Sequence, residues 1–266
     1  MGKVRVFDES HYGELDRTRG EVVSRLLAEL RPALKLRTAI DIGCGFGYFS
    51  RFLQSLGLEV TAVDGRAQNV EEAQRRSPSV RVLHYNAEDP DLRNLGAFDL
   101  VFCFGLLYHL ENPLLAIRNL QAMTQKLLLV ESVIFPGNEP FMALVDEEIH
   151  DDQGLNHIAF YPTEACLVKM LYRAGFSSVL RPVRDPDHSH YHPHGRARRV
   201  RTILAAAHEP VDSKQLACVA EVSSPIRPWD PTSGIEKGDT VQKLRRFAEK
   251  SLSDKVKSVK RIIKAG

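Results

Sequence analysis

The chain has 266 residues, 43% of them hydrophobic and 26% charged, the balance of an ordinary globular domain with appendages. No run approaches the ~18 apolar residues of a membrane span. Met1-Gly2-Lys3-Val4-Arg5 is followed neither by a signal-peptide core nor by the Ser or Thr at position 6 that myristoylation would need. The formal net charge of +2 is unevenly spread: residues 241–266 hold nine Lys or Arg against Glu249 and Asp254, a net of +7, which leaves about −5 on the rest. A mildly acidic body counts against a broad nucleic-acid surface, although a basic tail could supply one.

Cys44, Cys103, Cys166 and Cys218 are dispersed with no CxxC pair, so neither a zinc knuckle nor a disulfide framework is expected, and a reducing cytoplasm is the expected setting.

In chain order, Val22, Leu26, Leu27 and Leu30 mark a helix over 15–34, with Pro32 and Lys35 as its exit. A short apolar strand at 38–42 runs into Gly43-Cys44-Gly45-Phe46-Gly47 and a helix over 48–56 closed by Gly57. A strand at 59–64, a helix at 67–76, strands at 80–85 and 98–105, a helix at 112–123, a strand at 126–133 and a helix at 163–174 follow. Strands alternating with amphipathic helices imply an α/β fold, a mostly parallel sheet covered on both faces. After Gly175 the alternation stops: 176–184 and 199–208 both read as strands and form an antiparallel hairpin around the polar link 185–198.

Residues 209–234 are Pro-rich without a period and read as an extended linker; 235–266 then read as a basic amphipathic helical tail, its apolar side carrying Leu244, Phe247, Leu252, Val256, Val259 and Ile263. The tail could pack on the body, meet a partner or lie on an anionic membrane surface.

The chemistry starts at Asp41-Ile42-Gly43-Cys44-Gly45-Phe46-Gly47. A strand turning sharply into a helix needs residues without side chains where backbone approaches a ligand, and free amides at the helix start suit an anion. Tyr48 stands where the dinucleotide pattern GxGxxG wants its third glycine. Asp64 ends the second strand, where a parallel sheet sets a carboxylate beside ribose hydroxyls; taken alone it would equally be a helix cap. Gly65 follows it. Asn86-Ala87-Glu88, after the third strand, could accept from an adenine amino group, and Phe104 ends the fourth strand before Tyr108 and His109. These elements fall at successive carboxyl ends of one sheet, where open α/β folds bind ligands.

Over residues 15–208 the sequence resembles the class I, Rossmann-like SAM-dependent methyltransferases. The family's E/DxGxGxG loop is matched by Asp41, Gly43, Gly45 and Gly47, its ribose-binding acid by Asp64, and its adenine-side Asp-Ala by Asn86-Ala87, with Asn in place of Asp. The resemblance implies a three-layer sandwich around a seven-stranded sheet, with S-adenosyl-L-methionine (SAM) as cofactor. Leu106-Leu107-Tyr108-His109, Asn156–Thr163 and Leu171–Phe176 are further similar to the tRNA wobble-uridine carboxymethyl-transfer enzymes, and also to uncharacterised glycan and natural-product methyltransferases.

Methyl transfer from a sulfonium depends on holding donor and acceptor at near-attack distance, and an oxygen or nitrogen nucleophile can need a base. His109 is the expected base; a packing role that orients Tyr108 is an equal reading. Tyr108 lines the methyl channel or stacks in the core, and His157, with His150, is a secondary candidate. The connection 135–162 is long enough for a lid or acceptor insertion. Its run Asp146-Glu147-Glu148-Ile149-His150-Asp151-Asp152 offers metal ligands but reads more simply as a solvated face, so no metal ligand is assigned. His188, His190, His192 and His194 would align on a strand, but Pro186 and Pro193 argue for a loop. Arg196, Arg198, Arg199 and Arg201 make a basic patch for a phosphate or acidic sugar, or solvated edge residues.

The expected function is methyl transfer to an oxygen or nitrogen of a small-molecule or saccharide acceptor. Two alternatives stay open: an RNA methyl- or carboxymethyl-transferase, and a non-catalytic SAM-binding partner subunit. A carboxylated donor would require a cation near the methyl group.

Overall fold

The computed structural model describes residues 10–148, 153–192 and 200–221. The expected tail at 235–266 and residues 222–234 of the expected linker lie outside them, as do His150, His194, Arg196, Arg198 and Arg199.

The elements run α1 (Ser10–Leu34), β1 (Thr38–Ile42), α2 (Tyr48–Ser55), β2 (Glu59–Asp64), α3 (Ala67–Arg76), β3 (Arg81–His84), β4 (Phe98–Phe104), α4 (Pro113–Met123) and β5 (Thr124–Ile134). They continue with β6 (Met142–Asp146), β7 (Ile158–Pro162), α5 (Glu164–Ala174), β8 (Ser178–Pro182), β9 (Val200–Ala207) and β10 (Leu216–Cys218). One eight-stranded sheet has the order β10-β8-β9-β5-β4-β1-β2-β3, and β6 and β7 form a separate pair. From β3 to β5 all neighbours are parallel, with Ile40 opposite Thr61 on one side and Val101 on the other. β9 runs antiparallel to β5, with Val130 opposite Leu204, and β8 antiparallel to β9.

Period-two alternation assigns side chains to two cores. Ala39, Ala62, Phe102, Leu129 and Ala205 face one core, where Val22, Leu26 and Leu30 of α1 and Phe49 and Leu53 of α2 cover them. Ile40, Val63, Val101, Cys103, Val130 and Ala206 face the other, under Ile117 and Leu120 of α4 and Leu167 and Leu171 of α5. Burial on both faces explains why these strands read as near-continuous apolar runs. The chain lays β2 and β3 on one side of β1, then crosses to place β4 on the other. That reversal opens a crevice at the carboxyl ends of β1 and β4.

Helix α1 runs from Ser10 through Pro32 to Leu34, starting earlier than the expected residue 15 and ending where expected. Lys35 at φ 53 makes the exit, with the Leu36 amide returning to the Arg31 carbonyl at 3.0 Å. The sheet has eight strands where seven were expected. Residues 216–218, inside the expected linker, pair antiparallel with β8 and cover an edge whose backbone groups would otherwise stay unpaired. The long connection at 135–162 contains the hairpin β6–β7, with Leu144 opposite Phe160. Among the described residues no helix is long and apolar enough to cross a membrane.

Candidate functional site

The crevice is lined first by the loop from β1 to α2. Gly43, Gly45 and Gly47 have φ of 77, 53 and 78, a region where an L side chain is strained. At Gly43 a Cβ would also stand 2.9 Å from Cδ2 of Leu106, so this loop and the one after β4 approach without room for a side chain. The Asp64 carboxylate ties the turn together. Its Oδ2 accepts from the Gly45 amide at 2.9 Å, and its Oδ1 accepts from the Arg66 amide at 2.9 Å and Asn69 Nδ2 at 3.1 Å. Burial raises its pKa above the ordinary value, while these three donors pull the other way.

A cavity of about 260 Å³ opens over this loop. Of the residues singled out from the sequence, Gly43, Gly45, Asp64, Gly65, Asn86, Ala87, Phe104, Tyr108 and His109 line it. Asp41, Gly47, Glu88 and His157 do not. Asp41 is 2% exposed and accepts from Ser50 Oγ at 2.6 Å, which braces β1 against α2. Its carboxyl, pushed up by burial to about 7, faces away from the ligand space. Gly47 packs against α3, where a Cβ would meet Ser77 Oγ at 3.3 Å. Glu88 accepts the Asn112 amide at 2.6 Å at the start of α4. His157 is an exposed hairpin residue at φ 57 whose carbonyl accepts from the Glu147 amide.

At the mouth of β4, His109 Nδ1 lies 2.7 Å from Oε1 of Glu147. The approach is a close contact outside good hydrogen-bond alignment. Glu147, in the run read as a solvated face, has a side chain only 2% exposed. Its Oε2 accepts from the Gly154 amide at 2.8 Å. Arg66 Nη2 reaches the Gln153 and Gly154 carbonyls at 2.8 and 3.1 Å. Residues 153–155 therefore wall the cavity beside the end of β2.

The remaining wall carries charge. Glu131 of β5 is fully buried and accepts from Arg19 Nη2 of α1 at 3.0 Å, from Arg201 Nη1 of β9 at 3.0 and 3.2 Å, and from the Tyr191 hydroxyl at 3.1 Å. Arg201 Nη2 donates to the Tyr108 hydroxyl at 3.2 Å, and Arg19 Nη1 pairs with Asp16 at 2.8 Å. Burial pushes the Glu131 carboxyl up, but the two arginines outweigh it and hold the pKa below the ordinary value. Asp16, Arg19 and Arg201 line the cavity. Arg201 is thus a half-buried, carboxylate-paired cation and not the solvated edge residue that its neighbours in sequence suggested.

Nothing in the sequence marked Asp16 and Arg19 of α1 as site residues, and nothing local marked Glu131, since an acid inside an apolar strand announces burial but not its partners. His188 caps a 3-10 turn at Ser189–Tyr191 and His190 lies within it, so they do not align as on a strand. Among the described residues no group of three His, Cys, Asp or Glu could hold a metal ion.

Residues 40–126 match the family model described as a methyltransferase domain. The tRNA U34 carboxymethyltransferase of Tolumonas auensis is 30% identical over 165 residues, which are 58% of this chain and 48% of that protein. The chain thus spans about half the length of the curated relatives it matches. Among solved structures, the N-terminal domain of EvdMO1 with SAH bound superposes with a TM-score of 0.57 at 19% identity, covering 72% of this chain and 79% of that one. SAM-bound CalS10, an amino pentose methyltransferase from Micromonospora echinaspora, superposes with a TM-score of 0.51 at 18% identity, covering 76% and 98%. At these identities the solved structures establish the fold.

Proposed function

We propose that this chain, which carries a class I SAM-dependent methyltransferase domain, transfers a methyl group to an oxygen or nitrogen of a small-molecule or saccharide acceptor. The observation that carries the reading is one cavity lined by both a glycine cradle and His109, which Glu147 backs at 2.7 Å.

The residues present fit SAM. Gly43 and Gly45 let backbone stand close to a ligand. Asp64 has three of its roughly four acceptor sites filled by protein donors, which leaves one for a ribose hydroxyl. Asn86 takes the adenine side, where its amide oxygen can accept from an amino group. When bound, SAM supplies a methyl group already activated on a sulfonium sulfur and leaves as S-adenosylhomocysteine.

The protein's own part is positioning and proton removal. Glu147 facing Nδ1 keeps the proton on that nitrogen, which leaves Nε2 of His109 as the acceptor. As the acceptor oxygen or nitrogen bonds to carbon, its proton passes to Nε2, and the imidazolium formed is balanced by the Glu147 carboxylate. Residues 153–155, held by Arg66, narrow access from the β2 side, which suits a small acceptor. The unpaired thiols at Cys44, Cys103, Cys166 and Cys218 support a reducing cytoplasm as the setting.

The test is a panel of hydroxylated metabolites, saccharides and tRNA with methyl-labelled SAM. In His109→Ala, kcat for the active acceptor is expected to fall by about 10²–10⁴ with SAM affinity unchanged. Undiminished turnover would remove the base role.

A second reading, transfer of a carboxymethyl group to RNA, is favoured by the cations at the cavity. Arg201 beside the Tyr108 hydroxyl, with Arg19 behind it, offers the positive charge that a carboxylated donor requires. Glu131 and Asp16 neutralise both arginines, and on charge this leaves the plain methyl donor ahead. A carboxylated SAM analogue binding at least tenfold more tightly than SAM, with the advantage lost in Arg201→Met, would reverse that order.

A further inference from the structure

We propose that Glu147 is a positioning residue that fixes the tautomer of His109 and ties it to the cavity wall, a deepening that rests on the base role given to His109 above. Its two carboxylate oxygens face two different donors. Oε1 lies 2.7 Å from His109 Nδ1, and Oε2 accepts the Gly154 amide at 2.8 Å. The contacts come from separate parts of the chain, the turn after β4 and the segment 153–155. A Cβ on Gly154 would stand 2.6 Å from the His109 carbonyl oxygen and 2.9 Å from Glu147 Oε2, so the three residues close on one another without spare volume.

The sequence around Glu147 explains how it gets there. In β6 the odd-numbered Ala143 and Val145 are half-buried, while Met142, Leu144 and Asp146 are exposed. Glu147 continues the inward set, and its amide donates to the His157 carbonyl, which extends the hairpin by one pair. The side chain therefore enters the protein beside His109. Once there, one oxygen accepts the Gly154 amide and the other lies 2.7 Å from His109 Nδ1, close enough to favour a proton on that nitrogen. Neutral imidazole free in water favours the proton on Nε2, so a carboxylate at Nδ1 is what exposes the basic Nε2 lone pair to an acceptor. A carboxylate is required here because a glutamine has one carbonyl oxygen for two donors. Its amide NH₂ would face either the His109 Nδ1–H or the Gly154 N–H.

The experiment is nitrogen NMR of histidine-labelled full-length protein saturated with S-adenosylhomocysteine, with His109 assigned by its absence in His109→Ala. The wild type is expected to carry the proton on Nδ1. Glu147→Ala is expected to move it to Nε2, with kcat lowered at least about tenfold and SAM affinity within threefold. Glu147→Gln, of the same shape, keeps the proposal testable if the alanine variant does not fold, and should show a mixed tautomer and an intermediate kcat. A wild-type His109 protonated on Nε2, or a Glu147→Gln variant with wild-type tautomer and turnover, would overturn it. Because the tautomer is read without an acceptor, loss of turnover in His109→Ala alone speaks to the base role and not to Glu147.

Discussion

The two walls of the cavity are built on opposite principles. The β1–β2 wall is backbone held by one carboxylate, with Gly45, Arg66 and Asn69 all within 19 residues of Asp64. The facing wall is side-chain charge brought together across the fold: Arg19 lies 112 residues from Glu131, Arg201 70 and Tyr191 60. The first wall is local. The second exists only after α1, β5 and β9 have assembled, and its energy is that of buried ions needing partners.

The sharpest way to break this comparison is Glu131→Ala. Arg201 would lose its carboxylate partner and Arg19 would keep Asp16 alone, and the domain should lose about 3–5 kcal/mol of stability in chemical denaturation. A variant as stable as wild type would mean that the arginines reach solvent and the wall is not built on that carboxylate.

Asp41, behind the glycine loop, distinguishes the walls by pH. Its folded pKa is raised from 3.8 to about 7, so the stability it contributes is fully present below pH ~4 and is lost as pH rises through ~7. Glu131, held below the ordinary value, contributes stability above its unfolded pKa that is lost as pH falls through the folded one. Asp41→Asn should therefore flatten the loss of stability between pH ~4 and ~7 in denaturation curves. An unchanged slope would mean that Asp41 is ionised at both ends of that range.

The smallest expected effect is that of Tyr191→Phe, which removes one of the donors to Glu131 and should cost about 1 kcal/mol. A loss near that of Glu131→Ala would show that the hydroxyl, and not the arginine pair, holds the wall.

Legibility followed the same division. β1, β2, α3 and the loop between Asp41 and Gly47 were readable because apolar period and glycine spacing are local signals. Position does not reveal direction, however: Asp41 and Gly47 belong to the loop pattern, yet one turns to Ser50 and the other to α3. Arg201 sat in a run of arginines that read as an exposed edge, while its place on β9 opposite Val133 turns it toward Glu131. Glu147 was hidden among five other polar or charged neighbours at 146–152, with no sequence signal that it is the one beside His109. β10 left almost no signal, since of its three residues only Leu216 is buried.

The most direct test is calorimetric titration of the full chain with SAM and S-adenosylhomocysteine, alongside Asp64→Ala. Micromolar binding of both ligands by the wild type, weakened at least about tenfold in the folded variant, is the predicted result. Absence of binding to either ligand by folded wild-type protein would contradict the assignment of this cavity to SAM.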